Sequence, residues 1–288
     1  MKRLIKVVCA IVIISLLASC TAEPRKIHEY DTASSTKEER NLPETSVLPE
    51  PMGNNANEKI SHSYGVAKNG KPNEISINNQ KYFESNNFIA FCLDTKSKDK
   101  VLYLTFDCGY ENGYTEKILD VLKAKNVNAA FFCTLTEVKQ NPELIKRMIK
   151  EGHIVGNHSV NHPSFAEIST EQMADEIRGM EEYLKENFNY REPYFRFPKG
   201  EYTENALKTV DSLGYTSVFW SLAYADWDLN NQKGEQYAYE KVISRLHPGA
   251  VILLHSVSPD NVNALGRIID EAKSQGYKFL SLRDYVSN

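Results

Sequence analysis

Cysteine, glycine and proline are all sparse in this 288-residue chain, at five, 14 and 11 residues. So few cysteines exclude a disulfide-stapled scaffold of this size, and so little glycine and proline exclude a collagen-like or low-complexity chain. Positive charge is not in excess: 34 Lys and Arg stand against 38 Asp and Glu, a net charge of −4. Nucleic acid therefore has no electrostatic footprint to bind, and none is expected as a partner. Long hydrophobic runs are also missing. The one sustained apolar stretch, residues 7–18, would reach about 18 Å as a helix, against a hydrocarbon core of ~30 Å. What is present is ordinary globular composition, 41% hydrophobic and 10% aromatic. The length accommodates one large domain of about 200–250 residues or two smaller ones.

The apolar stretch follows Lys2, Arg3 and Lys6 and contains no acid, which is the pattern of a secretory signal. It ends in Leu17-Ala18-Ser19-Cys20, similar to a bacterial lipobox, in which the Cys is acylated and becomes the first mature residue. An ordinary signal with Cys20 incidental is the plainer alternative. The expectation is a signal peptide at 1–19, a lipidated Cys20 and a chain held at the outer surface of a membrane. Residues 20–61 carry four prolines, much Glu, Lys, Ser, Thr and Asn, and one aromatic, Tyr30. Such a segment cannot bury enough apolar surface to offset its ordering entropy and reads as a tether. The domain is expected over 62–288, with Tyr82, Phe83, Phe88, Ile89 and Phe91 packing onto it.

From Val101 the pattern is regular. Strands are predicted at 101–107, 127–134, 154–157, 194–197, 215–221, 251–256 and 277–282. Helices are predicted at 114–125, from Pro142 to Gly152, and at 170–185, 204–213, 235–246 and 261–275. Strand and helix alternating about seven times imply a parallel sheet. With no glycine-rich dinucleotide fingerprint, a closed or nearly closed, distorted (β/α) barrel is favoured over an open sheet.

In such a barrel the reactive groups stand where strands end. Those positions hold Asp107, Cys108, His158, His162, Arg196, Asp226, Trp227 and His255. His158 and His162, four residues apart, can converge on one ion of the zinc type; a turn with capping histidines is the alternative. Asp107 is placed as a general base for a water activated by a metal, or simply as a cap for its loop. Arg196 can pair with Asp107 and keep it ionised, or form a surface ion pair. His255 suits a general acid delivered to the rim by a buried strand, or a satisfied core histidine. Asp226 can hold the second ring nitrogen of His255. Trp227 offers a flat wall for a sugar ring, or belongs to the core.

These residues make the chain resemble the polysaccharide deacetylase family (carbohydrate esterase family four, the NodB-homology domain). Five family motifs stand in order within residues 101–256: Thr105-Phe106-Asp107-Cys108-Gly109, then His158-Ser159-Val160-Asn161-His162-Pro163, then Arg196-Phe197-Pro198-Lys199-Gly200, then Asp226-Trp227, and Leu253-Leu254-His255. The resemblance implies metal-dependent removal of an acetyl group from a glycan, with Asp107 as base, His158 and His162 as ligands and His255 as acid. It places Lys199, through its backbone N–H on the oxyanion, with Trp227 and Leu253 on the substrate side. Zinc is the ion implied, with cobalt or manganese as alternatives. Where the family has an Asp as third ligand, this chain has Cys108: either a thiolate ligand, or no ligand and a weaker site completed by water.

The segments 109–115, 226–239 and 69–72 resemble more narrowly the spore-cortex N-acetylmuramic acid deacetylases that lead to muramic δ-lactam. That likeness implies peptidoglycan strands as partner, stripped of peptide beforehand by a muramoyl-alanine amidase, in a sporulating Gram-positive bacterium. Two alternatives are a deacetylase of another glycan (N-acetylglucosamine in peptidoglycan or chitin, or acetylated xylan) and a glycan-binding lipoprotein disabled by Cys108.

Overall fold

A computed structural model of the chain describes residues 56–285. The expected signal peptide, Cys20 and most of the expected tether lie outside the described residues. Strand β1 (Ile60–Ser61) is followed by helix α1 (Glu74–Ser85), β2 (Ala90–Phe91), β3 (Val101–Cys108), α2 (Thr115–Lys125), β4 (Ala130–Cys133), α3 (Leu135–Gln140), α4 (Pro142–Lys150) and β5 (Ile154–Asn157). The chain continues through α5 (Thr170–Phe188), β6 (Tyr194–Phe195), β7 (Glu201–Tyr202), α6 (Glu204–Ser212), β8 (Thr216–Val218), α7 (Glu235–Ile243), β9 (Ala250–His255), α8 (Pro259–Ser274) and β10 (Lys278–Leu280).

The main sheet has eight strands, all paired in parallel. Its order runs β9-β3-β4-β5-β6-β8-β2. β10 lies beside the first half of β3 (Lys278↔Val101 to Leu280↔Tyr103), and β4 beside its second half (Thr105↔Ala130 to Cys108↔Cys133). Among the described residues, the far side returns to β9 through the isolated bridges Leu222↔Ile252 and Leu93↔Ala250. The result is a distorted (β/α) barrel. All seven strands predicted from sequence are present. The eighth, β2, is two residues long and shows no periodicity.

β3 shows why the run 101–108 reads as continuously apolar: both faces are buried. Leu102, Leu104, Phe106 and Cys108 pack outward with Ile118, Leu119 and Leu122 of α2. Val101 and Tyr103 face the barrel interior with Phe132, Val251 and Leu253, and Asp107 continues that inner set. Parallel pairing then brings the C-terminal strand ends into line, Asp107 beside His255, Cys133 beside Asn157 and Asn157 beside Phe195.

Two helices escape the sequence reading. α1 turns polar side chains inward: Ser76 and Gln80 are buried beside Phe83, and Gln80 Oε1 accepts from the N–H groups of Cys92 (3.0 Å) and Leu93 (3.3 Å). α3 is too short for a 3.6-residue period to show. Of the aromatics and aliphatics expected to pack in this region, Phe83 and Phe91 are fully buried, but Ile89 is 46% exposed. Residues assigned to the tether also dock: β1 pairs antiparallel with β7, and Ala56 accepts from Asn205 N–H. The domain therefore begins before residue 62, because backbone pairing adds to the packing of Ile60 and the ion pairs of Lys59 in holding this strap.

Candidate active site

Arg196 follows β6 directly and is completely buried. Its Nη1 donates to Asp107 Oδ1 at 2.8 Å and to Thr105 Oγ1 at 2.9 Å, and its Nε to the Val218 carbonyl at 3.0 Å. The guanidinium lies 4.2 Å from the centre of the Phe132 ring, with Trp220 beyond at 5.7 Å. Phe132 can lie there because position 156 of the neighbouring strand is glycine; a Cβ at Gly156 would stand 2.6 Å from the ring. This is a buried ion pair with its donors satisfied, not the surface pair weighed as an alternative.

Burial alone would raise the Asp107 pKa, but the charge of Arg196, with His158 and His255, outweighs it and holds the carboxyl below its usual value. The second carboxylate oxygen of Asp107 lies 3.6 Å from His158 Nε2. His158 Nδ1 is 2.8 Å from the Arg196 carbonyl, which fixes the proton on Nδ1 and leaves the Nε2 lone pair toward Asp107. The His162 ring is 4.8 Å from that of His158, nearly perpendicular. Burial, then the neighbouring His158, pushes the His162 pKa down to about 3, so the imidazole is neutral.

Across the strand pair, His255 Nδ1 meets Asp226 Oδ1 at 2.7 Å, and Asp226 Oδ2 accepts the His255 backbone N–H at 2.8 Å. Burial lowers the imidazole's pKa, yet Asp226, with Asp107 adding to it, raises it above the ordinary value. Asp226 also accepts from Asn261 Nδ2, whose side chain reaches the His255 carbonyl as well. Sequence reasoning missed Asn261 and Thr105. Thr105 belongs to the first motif and Asn261 lies in the first turn of α8, but neither position announces its target.

Trp227 is 53% exposed at the rim and is not core. Lys199 is exposed and left-handed (φ 59°), and its charge acts on His162. Leu253 is nearly buried, one pleat below His255 on the inner face of β9. Cys108 is placed otherwise than a ligand requires. It stands on the outer face of β3, fully buried with the helical layer and beside the register partner Cys133. Side chains alternate along a strand, so residue 108 points away from the face that carries Asp107. Cys92, Cys108 and Cys133 are free, buried thiols.

A family model for polysaccharide deacetylase matches residues 94–218. The chain is 45% identical over 231 residues to the peptidoglycan-N-acetylmuramic acid deacetylase PdaA of Bacillus subtilis, covering 80% of this chain and 87% of the relative. The chain belongs to the polysaccharide deacetylase family. A solved structure of Bacillus subtilis PdaA, described as a family 4 carbohydrate esterase, superposes with a TM-score of 0.75 at 44% identity, covering 79% of this chain and 97% of that one. A peptidoglycan-N-acetylglucosamine deacetylase of Bacillus cereus is 36% identical over 185 residues, 62% of this chain and 66% of that relative.

Deacetylases of this family depend on a metal. The donor chemistry of His158 and His162, two neutral imidazoles, one of them oriented by a backbone carbonyl, fits a divalent cation of the zinc type. Among the described residues no group of three or more His, Cys, Asp or Glu side chains is set to hold a metal.

Proposed function

We propose that the chain removes the acetyl group from N-acetylmuramic acid in peptidoglycan strands already stripped of peptide by an amidase. The freed amine then closes on the lactyl carboxyl to give the muramic δ-lactam of spore cortex. The observation that carries the chemistry is a pair of neighbouring strand ends holding a carboxylate kept ionised by Arg196 and an imidazole kept basic by Asp226. The sugar is carried over from the similarity to PdaA.

A divalent cation on His158 and His162, zinc first and cobalt or manganese next, would supply Lewis-acid polarisation of the acetyl group. Asp107 accepts the proton of the attacking water, and Arg196 holds its other oxygen in place. His255, oriented by Asp226, protonates the departing amine. The backbone N–H of Lys199 is assigned to the oxyanion and its side chain to the lactyl carboxylate. Trp227 and Leu253 border the sugar. Because peptidoglycan lies outside the membrane, the enzyme works there, held by lipid on Cys20. Among the described residues no helix is long and apolar enough to cross a membrane.

Acetate and lactam, measured by mass spectrometry on amidase-treated cortex glycan, on untreated glycan and on chitooligosaccharides, test the reading. Acetate from the amidase-treated strands, and much less from the others, is the expected result. Release from chitooligosaccharides alone would move the assignment to N-acetylglucosamine. Asp107→Asn should lower the rate by about 10²–10⁴-fold; an undiminished rate would remove Asp107 as base.

A further inference from the structure

The turn that carries both imidazoles is held by a residue outside the five motifs. Between His158 and His162 the chain makes two left-handed steps at residues with side chains, Ser159 (φ 70°) and His162 (φ 57°). Conformations of this kind persist only when their surroundings over-determine them. Part of the restraint is local: Asn157 Oδ1 accepts the Ser159 N–H at 2.9 Å, and Ser159 Oγ accepts the His162 N–H at 2.9 Å. The rest comes from Glu176 on α5. Glu176 Oε2 accepts two successive backbone N–H groups, of Val160 (2.9 Å) and Asn161 (2.7 Å), and Oε1 accepts Asn161 Nδ2 at 2.6 Å. Successive N–H groups converging on one anion form a nest, here filled by the protein's own carboxylate.

The helix is brought close by two further features. Asn157 Nδ2 donates to the Ile177 carbonyl at 2.9 Å. Gly179 lets α5 approach the turn, since a Cβ there would stand 3.0 Å from Val160 Cγ2. The start of α5 is itself fixed by a Ser169–Gln172 capping box. One carboxylate thus connects a rigid helix to the apex of the turn between the two imidazoles.

We propose that Glu176 is a positioning residue that preorganises His158 and His162 for a divalent cation, which rests on the reading of that pair as metal ligands. Residues of this kind act by lowering the disorder a ligand turn loses on binding, and their loss commonly costs about 10–100-fold in metal affinity. Zinc affinity, measured by competition with a chromophoric chelator on the purified protein, is the direct readout. Glu176→Ala should bind zinc about 10–100-fold more weakly, with far-UV circular dichroism retained and acetate release recovered in excess zinc. Glu176→Gln should return near the wild-type affinity, because its carbonyl oxygen can take both N–H groups while the Asn161 amide turns to meet its NH₂. Should Glu176→Ala fail to fold, Glu176→Asp, one methylene short of the nest, must show the same loss.

His162→Ala, measured alongside, separates the two ideas. Wild-type zinc affinity in the Glu176 variants together with a large loss in His162→Ala would overturn the positioning role. Wild-type affinity in His162→Ala would overturn the ligand assignment on which it rests.

Discussion

Asp107 and His255 sit on neighbouring strands, and each is pushed by its partner toward the protonation state its proposed role requires. Burial of Asp107 favours the neutral acid, but Arg196, His158 and His255 lower its pKa below the ordinary carboxylate value. The base form is therefore lost only as pH falls through that lowered pKa. Burial of His255 favours the neutral ring, but Asp226 and Asp107 raise its pKa above 6.5. The acid form therefore survives above that value and is lost as pH rises through the raised pKa. Asp226→Asn removes the charge that raises it, so the alkaline limb of the kcat/KM profile should move to lower pH. An unmoved limb in that variant would take His255 out of the general-acid role. Asp107, Arg196, His158, His162, Asp226 and His255 stand out in the sequence as ionisable residues closing apolar strands, and the structure brings them to one end of the barrel. Cys108 was harder to place. Adjacent letters in the first motif look equivalent on paper, and only the strand pleat separates the face carrying Asp107 from the one carrying Cys108.

At the scale of elements, the Arg196–Asp107 ion pair depends on a void designed into β5. Gly156 leaves room for Phe132 of β4, and Phe132 lies under the Arg196 guanidinium. Gly156→Ala should destabilise the protein by about 1–3 kcal/mol, the usual range for overpacking, as read from urea or thermal unfolding. It should also slow acetate release, since Arg196 can no longer keep its place; unaltered stability would show that Phe132 yields freely. The N-terminal strap belongs to this scale too. β1 pairs with β7, next to the Lys199 turn, and the His62 N–H reaches the Gly200 carbonyl at 2.9 Å. His62 stacks on Phe219 at 4.7 Å, and burial pushes its pKa down to about 4. A segment that reads as polar tether thus ends as a structural edge of the active-site loop. Its composition carries no sign of this, because the partner strand lies 140 residues away.

For the whole molecule, parallel pairing sends every strand of the barrel to the same end, and that common end is where Asp107, His158, His162 and His255 meet. The proposed lipid anchor belongs to the same scale. Cys20→Ser should move the protein from the membrane fraction to the soluble fraction while kcat on amidase-treated glycan stays the same; retention at the membrane would refute lipidation at this position. The sequence by itself determined the alternation of strand and helix, the candidate site residues and the family, since all of these are local in the chain. Only the tertiary structure decided which way each side chain faces and which distant groups complete the site. Thr105 under Arg196, Asn261 behind Asp226 and Glu176 behind the histidine turn are contacts between residues far apart in sequence. Nothing in a stretch of residues encodes such a partner until the barrel closes and brings it within hydrogen-bonding distance.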